Sequence, residues 1–333
     1  MNRRALDVVA ALPHGPHDPL SATPPRPSGS VRRTTSVDQR RGQPGEAMEV
    51  VARGRDLLTR TDGSTEVRDA VELRVTLDAF ATVTAIESDP PEPRLAALVD
   101  GSVSRGFRAR VDAALPEHRD AATVLHLLLD DLPMAALISN YGSSREQPEF
   151  TLPPEAGERL TDLCAGWAAG ATMLGAMAST GIFPIPIGPP APDLLSIDDP
   201  LAWHDLPPMA PRSVRRRRRL DLVAGEPLRL DVHFRDSHLG ADDPEDVLHE
   251  YTLAATVAPS TLEVRSAEAT ARVLPWPECP QAVGSAGRIV GQPVSELRSL
   301  VAADFTGTST CTHLNDVLRS LASVTALARA FAP

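Results

Sequence analysis

The sequence contains no lysine, because all 33 of its basic residues are arginine. This absence excludes chemistries that need a lysine amine, namely Schiff-base formation, the phosphate-binding lysine of a P-loop and a lysine general base. The net charge of −11 and the isoelectric point near 5.3 argue against sequence-independent binding to nucleic acid. We therefore predict no nucleic-acid partner.

Cysteines are also few, since only Cys164, Cys279 and Cys311 occur, widely spaced and odd in number. A disulfide framework is not expected, and no secretory signal is recognisable, so we predict a cytoplasmic protein. The apolar helical pattern over residues 155–178 is interrupted by glycines and begins with charged residues. This pattern indicates a buried helix or helix pair, and we predict no membrane partner.

Periodicity predicts an α+β fold. Short alternating or apolar runs are typical of strands, whereas apolar residues that recur every three or four positions are typical of helices. The expected strands are Val71–Leu77, Ala81–Ile86, Leu228–Arg235 and Leu248–Val257, and the expected helices are Phe107–Leu115, Val124–Leu132 and one around Val294–Val301. The turn-rich segment 240–246 should join the last two strands in a hairpin.

The second part of the sequence resembles the first. Residues 32–38 parallel residues 215–221, and further matches follow in the same order at offsets of about 180 to 190 residues. This pattern predicts an internal duplication whose two units pack as a pseudo-dimer. Because Val124 stands where Cys311 stands, we expect any active site in the second unit. The predicted divisions are a disordered tail at 1–31, a first α+β unit at 32–145, a helix and proline-rich crossover at 146–211, and a second α+β unit at 212–330.

The stretch 307–321 combines a cysteine and a histidine where small residues lead into a predicted helix. Its apolar face comprises Leu314, Val317, Leu318 and Leu321, and its expected outward face comprises Asn315, Asp316, Arg319 and Ser320. A thiol at this helix start meets unpaired N–H groups and the positive end of the helix dipole, which favour a thiolate. Cys311 and His313 could thus be a nucleophile pair or two metal ligands. The alternative is a buried cysteine beside a hydrogen-bonded histidine.

A second polar cluster is expected at the hairpin. Strand alternation puts Asp236 and His238 on one face, and pairing brings His249 or Glu250 within reach. Together with Cys311 and His313, these residues have the side-chain types of a zinc or iron site. The same set could instead supply a thiolate nucleophile, a base and a carboxylate that orients the base. Hydrogen bonds across a strand end are the structural alternative. The candidate catalytic residues are Cys311, His313, His249, Asp236 and Glu250, and the candidate metal ligands are Asp236, His238, His249, Cys311 and His313.

Several motifs resemble an uncharacterised family of actinobacterial proteins that carry a bacterial domain of unknown function. They are Arg-Arg-Thr-Thr-Ser-Val-Asp, Asp-Leu-Cys-Ala-Gly-Trp, Asp-Asp-Pro-Leu-Ala-Trp-His, His-Phe-Arg-Asp-Ser-His, His-Glu-Tyr-Thr, Leu-Pro-Trp-Pro-Glu-Cys-Pro and Gly-Thr-Ser-Thr-Cys-Thr-His-Leu-Asn-Asp. The resemblance covers about residues 32 to 328, and Cys-Thr-His-Leu-Asn-Asp is its most specific part. Shorter members resemble only the second unit. The resemblance supports the domain division and implies no activity.

Two functions are compatible with these patterns. The first is a cytoplasmic lyase or hydrolase that acts on a small anionic organic molecule, with an acyl thioester as one candidate and a divalent zinc or iron ion as the candidate cofactor. The arginine run 215–219 could attract a carboxylate, a phosphate or acyl-CoA, although a solvated strand face would also explain it. The second function is a non-catalytic binding or assembly module, and a homo-oligomer is compatible with either.

Overall fold

The strands of the computed structural model form a single antiparallel sheet. The structure describes residues 12–41, 47–104, 106–146, 160–181, 183–195 and 198–331. The strands are β1 Ser30–Arg41, β2 Met48–Thr59, β3 Thr65–Leu77, β4 Val83–Asp89, β5 Ser213–Val223, β6 Leu228–Leu239, β7 Asp246–Val257 and β8 Val264–Val273. Their order is β4-β3-β2-β1-β5-β6-β7-β8, so two four-stranded halves join through the antiparallel β1–β5 pair. The expected mixture of helices and strands is confirmed.

Helices cover one face of the sheet. They are α1 Phe107–Ala114, α2 Pro116–Ala121, α3 Val124–Glu146, α4 Thr172–Thr180, α5 Leu297–Asp304, α6 Thr312–Ser320 and α7 Val324–Arg329, with 3-10 helices at Pro93–Leu98, Ala165–Trp167, Cys279–Ile289, Val294–Glu296 and Leu321–Ser323. One apolar core joins α1 and α3 to the first four strands, and another joins α5, α6 and α7 to β5–β8. None of the described helices is long and apolar enough to span a membrane.

Extended segments pack on the opposite face. His17 forms a β-bridge with Val273, and the Trp203 indole N–H donates to the Thr23 hydroxyl, which itself donates to the Leu194 carbonyl. The expectation of a disordered tail is therefore wrong for residues 12–31, because this segment and the proline-rich crossover hold each other against the sheet. Residues 1–11 lie outside the described residues, as do residues 155–159 of the expected helical segment.

The arginine run lies inside the sheet, in β5. Each of its five residues is at most 5% exposed, so the alternative of a solvated strand face is wrong. Strand alternation sends Arg216 and Arg218 to the helix face and the other three to the opposite face. Each arginine meets a carboxylate: Arg215–Asp38, Arg216–Asp236, Arg217–Glu245, Arg218–Asp131 and Arg219–Asp231. Buried arginines need such partners, because an unpaired charge inside a protein is costly.

Candidate metal centre

Three side chains from β6, β7 and α6 meet on the helix face of the sheet. Asp236 and His249 are direct partners in the β6–β7 register, and His313 is the second residue of α6. One side-chain oxygen or nitrogen from each lies within 4.8 Å of the other two. The structure thus brings together three of the predicted site residues, through the hairpin register and the start of α6.

The distances in this group are similar to those between the ligands of a metal ion. The shared Asp236 Oδ2 lies 3.6 Å from His249 Nδ1 and 3.4 Å from His313 Nδ1. A well-formed N–H···O hydrogen bond measures about 2.7–3.2 Å. Ligands held about 2.0–2.1 Å from a tetrahedral cation stand about 3.3–3.4 Å apart. The two imidazole rings stack with centroids 3.5 Å apart and planes at 20°, and the Nδ1 atom of each lies near the same oxygen.

Arg216 fixes the protonation state and the orientation of the carboxylate. Its Nε and Nη2 donate to Asp236 Oδ1 and Oδ2 over 2.9 and 3.2 Å. Burial alone would raise the pKa of the Asp236 carboxyl, but the Arg216 charge and the two histidines hold that pKa well below its usual range. Burial, and then the proximity of His249, lower the pKa of His313 to about 3. An ionised carboxylate and a neutral imidazole are the forms that bind metal.

The group reaches solvent through α6. The side chain of His313 is 14% exposed, whereas Asp236 is fully buried. The Phe234 ring lies beside His313, with 6.4 Å between the two ring centroids. The Arg216 guanidinium carbon lies over the Phe234 ring, 4.8 Å from its centroid. An ion or a small molecule would therefore approach past His313, with Asp236 as the innermost ligand.

Cys311 does not have the environment expected of a thiolate. It is the N-cap residue of α6, as predicted, but it is only 5% exposed. Burial raises the pKa of its thiol, although the Tyr251 hydroxyl and the N–H groups of Leu314 and His313 act in the opposite direction. The expected helix-start effect thus exists and is outweighed by desolvation. Cys311 is not a member of the Asp236, His249 and His313 group.

Two other predicted residues, Glu250 and His238, lie outside the group. Glu250 points to the opposite face, because neighbours along a strand alternate. Its carboxylate accepts hydrogen bonds from the His233 ring at 2.8 Å, from Arg235 at 3.2 Å and from the Leu20 N–H at 3.1 Å, and so anchors the extended segment. The Nδ1 atom of His238 lies 3.5 Å from Asp246 Oδ1.

Three of the four residues on the expected outward face of α6 are buried, namely Asn315, Asp316 and Ser320. Asn315 donates to the Phe305 carbonyl at 2.9 Å, and Asp316 accepts from Arg216 Nη1 at 2.9 Å. The periodicity of α6 does not reveal this role, because Asp316 is covered by Arg216 of β5 and Arg108 of α1, which are far away in the sequence. Asp316 belongs to a chain of ion pairs, the Arg/Asp network, whose described members are Arg108, Arg216, Arg218, Arg298, Arg319, Asp112, Asp130, Asp131, Asp236 and Asp316.

Comparison with known proteins identifies one domain of this chain. Residues 214–327 match a family model described as "Protein of unknown function (DUF2889)". The matched segment runs from β5 into α7 and contains Asp236, His249 and His313, so it supports an uncharacterised domain that includes the candidate metal centre. No curated protein and no solved structure matches the chain.

Proposed function

We propose that the protein is a metal-dependent enzyme of the hydrolase or lyase type, in which Asp236, His249 and His313 hold a divalent cation. The observation that carries this proposal is the pair of 3.4 and 3.6 Å separations around one carboxylate oxygen. Both separations are close to ligand–ligand distances at a cation, and both nitrogens meet the same carboxylate oxygen.

The donor set is consistent with catalysis rather than with a purely structural metal. Structural zinc sites are usually closed by four protein ligands, whereas catalytic sites keep three and leave a position open. Two histidines and one carboxylate are also the ligands of non-haem iron(II) enzymes, so zinc and iron both fit. A metal in such a site acidifies a bound water or polarises a carbonyl oxygen. Arg216 would act as a positioning residue, because it holds the innermost ligand.

The environment of Cys311 favours a metal-dependent enzyme over an enzyme that uses Cys311 as a nucleophile. A thiol whose pKa is raised by burial supplies little thiolate at neutral pH. The three free cysteines agree with the proposed cytoplasmic location. A small anionic molecule remains the proposed substrate.

The second candidate is a non-catalytic assembly module, which the Arg/Asp network favours. Ion pairs join the two halves: Asp131 of α3 pairs with Arg216 of β5, Asp130 of α3 with Arg319 of α6, and Asp316 of α6 with Arg108 of α1. We also propose that the halves arose by duplication within the chain. This proposal is supported by the reciprocal ion pairs of the central strands, in which an arginine of each pairs with an aspartate of the other.

Metal content separates the two candidates. Purified protein should contain about one zinc or iron ion per chain, and the His313→Ala variant should contain none. His126→Ala is the matched control, because His126 lies near the start of α3 and contacts Asp112 instead of Asp236. Wild-type protein that neither retains nor takes up a divalent cation would refute the enzyme proposal and leave the assembly module.

A further inference from the structure

The Arg/Asp network is balanced in charge before any metal is added. Its described members are five arginines and five aspartates, each joined to another by an ion pair, and Asp236 is one of the five acids. The two histidines bind a cation as neutral rings. A divalent ion therefore adds two positive charges that no described carboxylate of this network offsets.

None of the five arginines in the β5 run is free to bind an anion. The run was one candidate binding surface for a carboxylate or phosphate, but each of its arginines pairs with a carboxylate of the protein. An incoming anion would have to displace one of these carboxylates, which would leave a buried acid without its partner. The cation is the remaining positive charge at the centre.

We infer that the substrate is a small oxyanion, with a carboxylate or phosphate oxygen that binds directly to the metal ion. This inference rests on the proposed function, since it requires the ion. The oxyanion takes the position left open by Asp236, His249 and His313 and offsets the uncompensated charge. Metal and oxyanion therefore bind cooperatively, and because such coupling is reciprocal each raises the affinity for the other by the same factor.

Cobalt(II) is a suitable probe, because its visible spectrum reports its ligands. Apo protein is titrated with cobalt(II) in a buffer without coordinating anions, then with acetate or inorganic phosphate present. We expect at least one of the two anions to tighten cobalt binding by about tenfold, which corresponds to about 1.4 kcal/mol, and to change the spectrum. In the absence of cobalt, neither anion should bind measurably.

Charge variants test the cause of the coupling. The Arg108 side chain is 30% exposed and contacts Asp130 and Asp316, so Arg108→Gln should fold and leave the network one charge more negative. Cobalt should then bind more tightly without an anion, and the enhancement by the anion should shrink. Arg272→Gln is the matched control, since its side chain is also 30% exposed but contacts Asp18 outside the network.

The outcomes separate this inference from the proposed function. Cobalt that binds with the same affinity and spectrum in the presence of either anion would overturn the oxyanion inference and leave the metal centre intact. Cobalt that binds under neither condition would overturn the metal centre, and the inference with it. An equal response of Arg108→Gln and Arg272→Gln would overturn charge balance as the cause.

Discussion

Replacing Arg218 by lysine, a residue that the chain does not contain, should lower the free energy of unfolding by about 2–4 kcal/mol. Arg218 holds Asp131 with two bonds, Nη1 to Oδ2 at 2.5 Å and Nη2 to Oδ1 at 3.0 Å, and both side chains are at most 4% exposed. A lysine ammonium can keep only one of these bonds, and a buried charge-assisted bond contributes about 1.5–3 kcal/mol. The guanidinium also lies 5.6 Å from the Phe234 ring centroid, a contact worth about 0.5–1 kcal/mol.

Urea denaturation of the purified variant measures this loss. The control is Arg74→Lys, because the Arg74 side chain is 55% exposed and its ion pair with Glu72 lies at the surface. Exposed pairs contribute about 0–1 kcal/mol, so the control should stay within about 0.5 kcal/mol of wild type. An Arg218→Lys protein as stable as this control would refute the argument that paired, planar guanidinium groups are needed in the core.

Three further perturbations follow from the structure. Cys311→Ser should lower the free energy of unfolding, measured by urea denaturation, by about 1–3 kcal/mol, because the thiol is buried near Tyr251. Metal content should not change, because Cys311 lies outside the ligand group. Loss of metal without destabilisation would show that Cys311 is a ligand. Burial, and then nearby arginines, lower the pKa of His204 to about 3, whereas the unfolded chain takes up this proton below about pH 6.5. The free energy of unfolding should therefore fall as the pH drops from about 6.5 towards 3. Between pH 7 and pH 5, the His204→Gln variant should lose about 2 kcal/mol less of this free energy than wild type. Equal losses in the two proteins would contradict this assignment. Gly54→Ala would place a methyl group 2.5 Å from Val124 Cγ1, so we expect a loss of about 1–3 kcal/mol by thermal or urea denaturation, and no loss would mean that α3 can shift.

Strands β3, β4, β6 and β7 could be predicted from the sequence, and the two central strands β1 and β5 could not. Val71–Leu77 falls within β3 and Leu248–Val257 within β7, because apolar side chains alternate there with polar ones. In β5 five consecutive arginines remove this alternation, since both faces of the strand are buried and both are filled by ion pairs. Hydrophobic periodicity carries no information where charge pairs replace apolar contacts.

The candidate site was predicted in part. The start of α6 and the pairing of Asp236 with His249 follow from cap residues and hairpin geometry, which are local properties. The raised pKa of Cys311 and the burial of Asp316 depend on how α6 packs against the rest of the chain, and local pattern does not contain that information. Glu250 was assigned to the site although strand alternation places it on the face opposite its neighbour His249.

Anomalous diffraction from crystals grown with zinc or iron tests the metal centre most directly. Data collected at the absorption edge of the metal should show a peak about 2.0–2.2 Å from Asp236 Oδ2 and from the Nδ1 atoms of His249 and His313. The same peak should disappear from crystals of the His313→Ala variant. A wild-type crystal with no peak at these three atoms, or with its metal bound by other residues, would contradict the account.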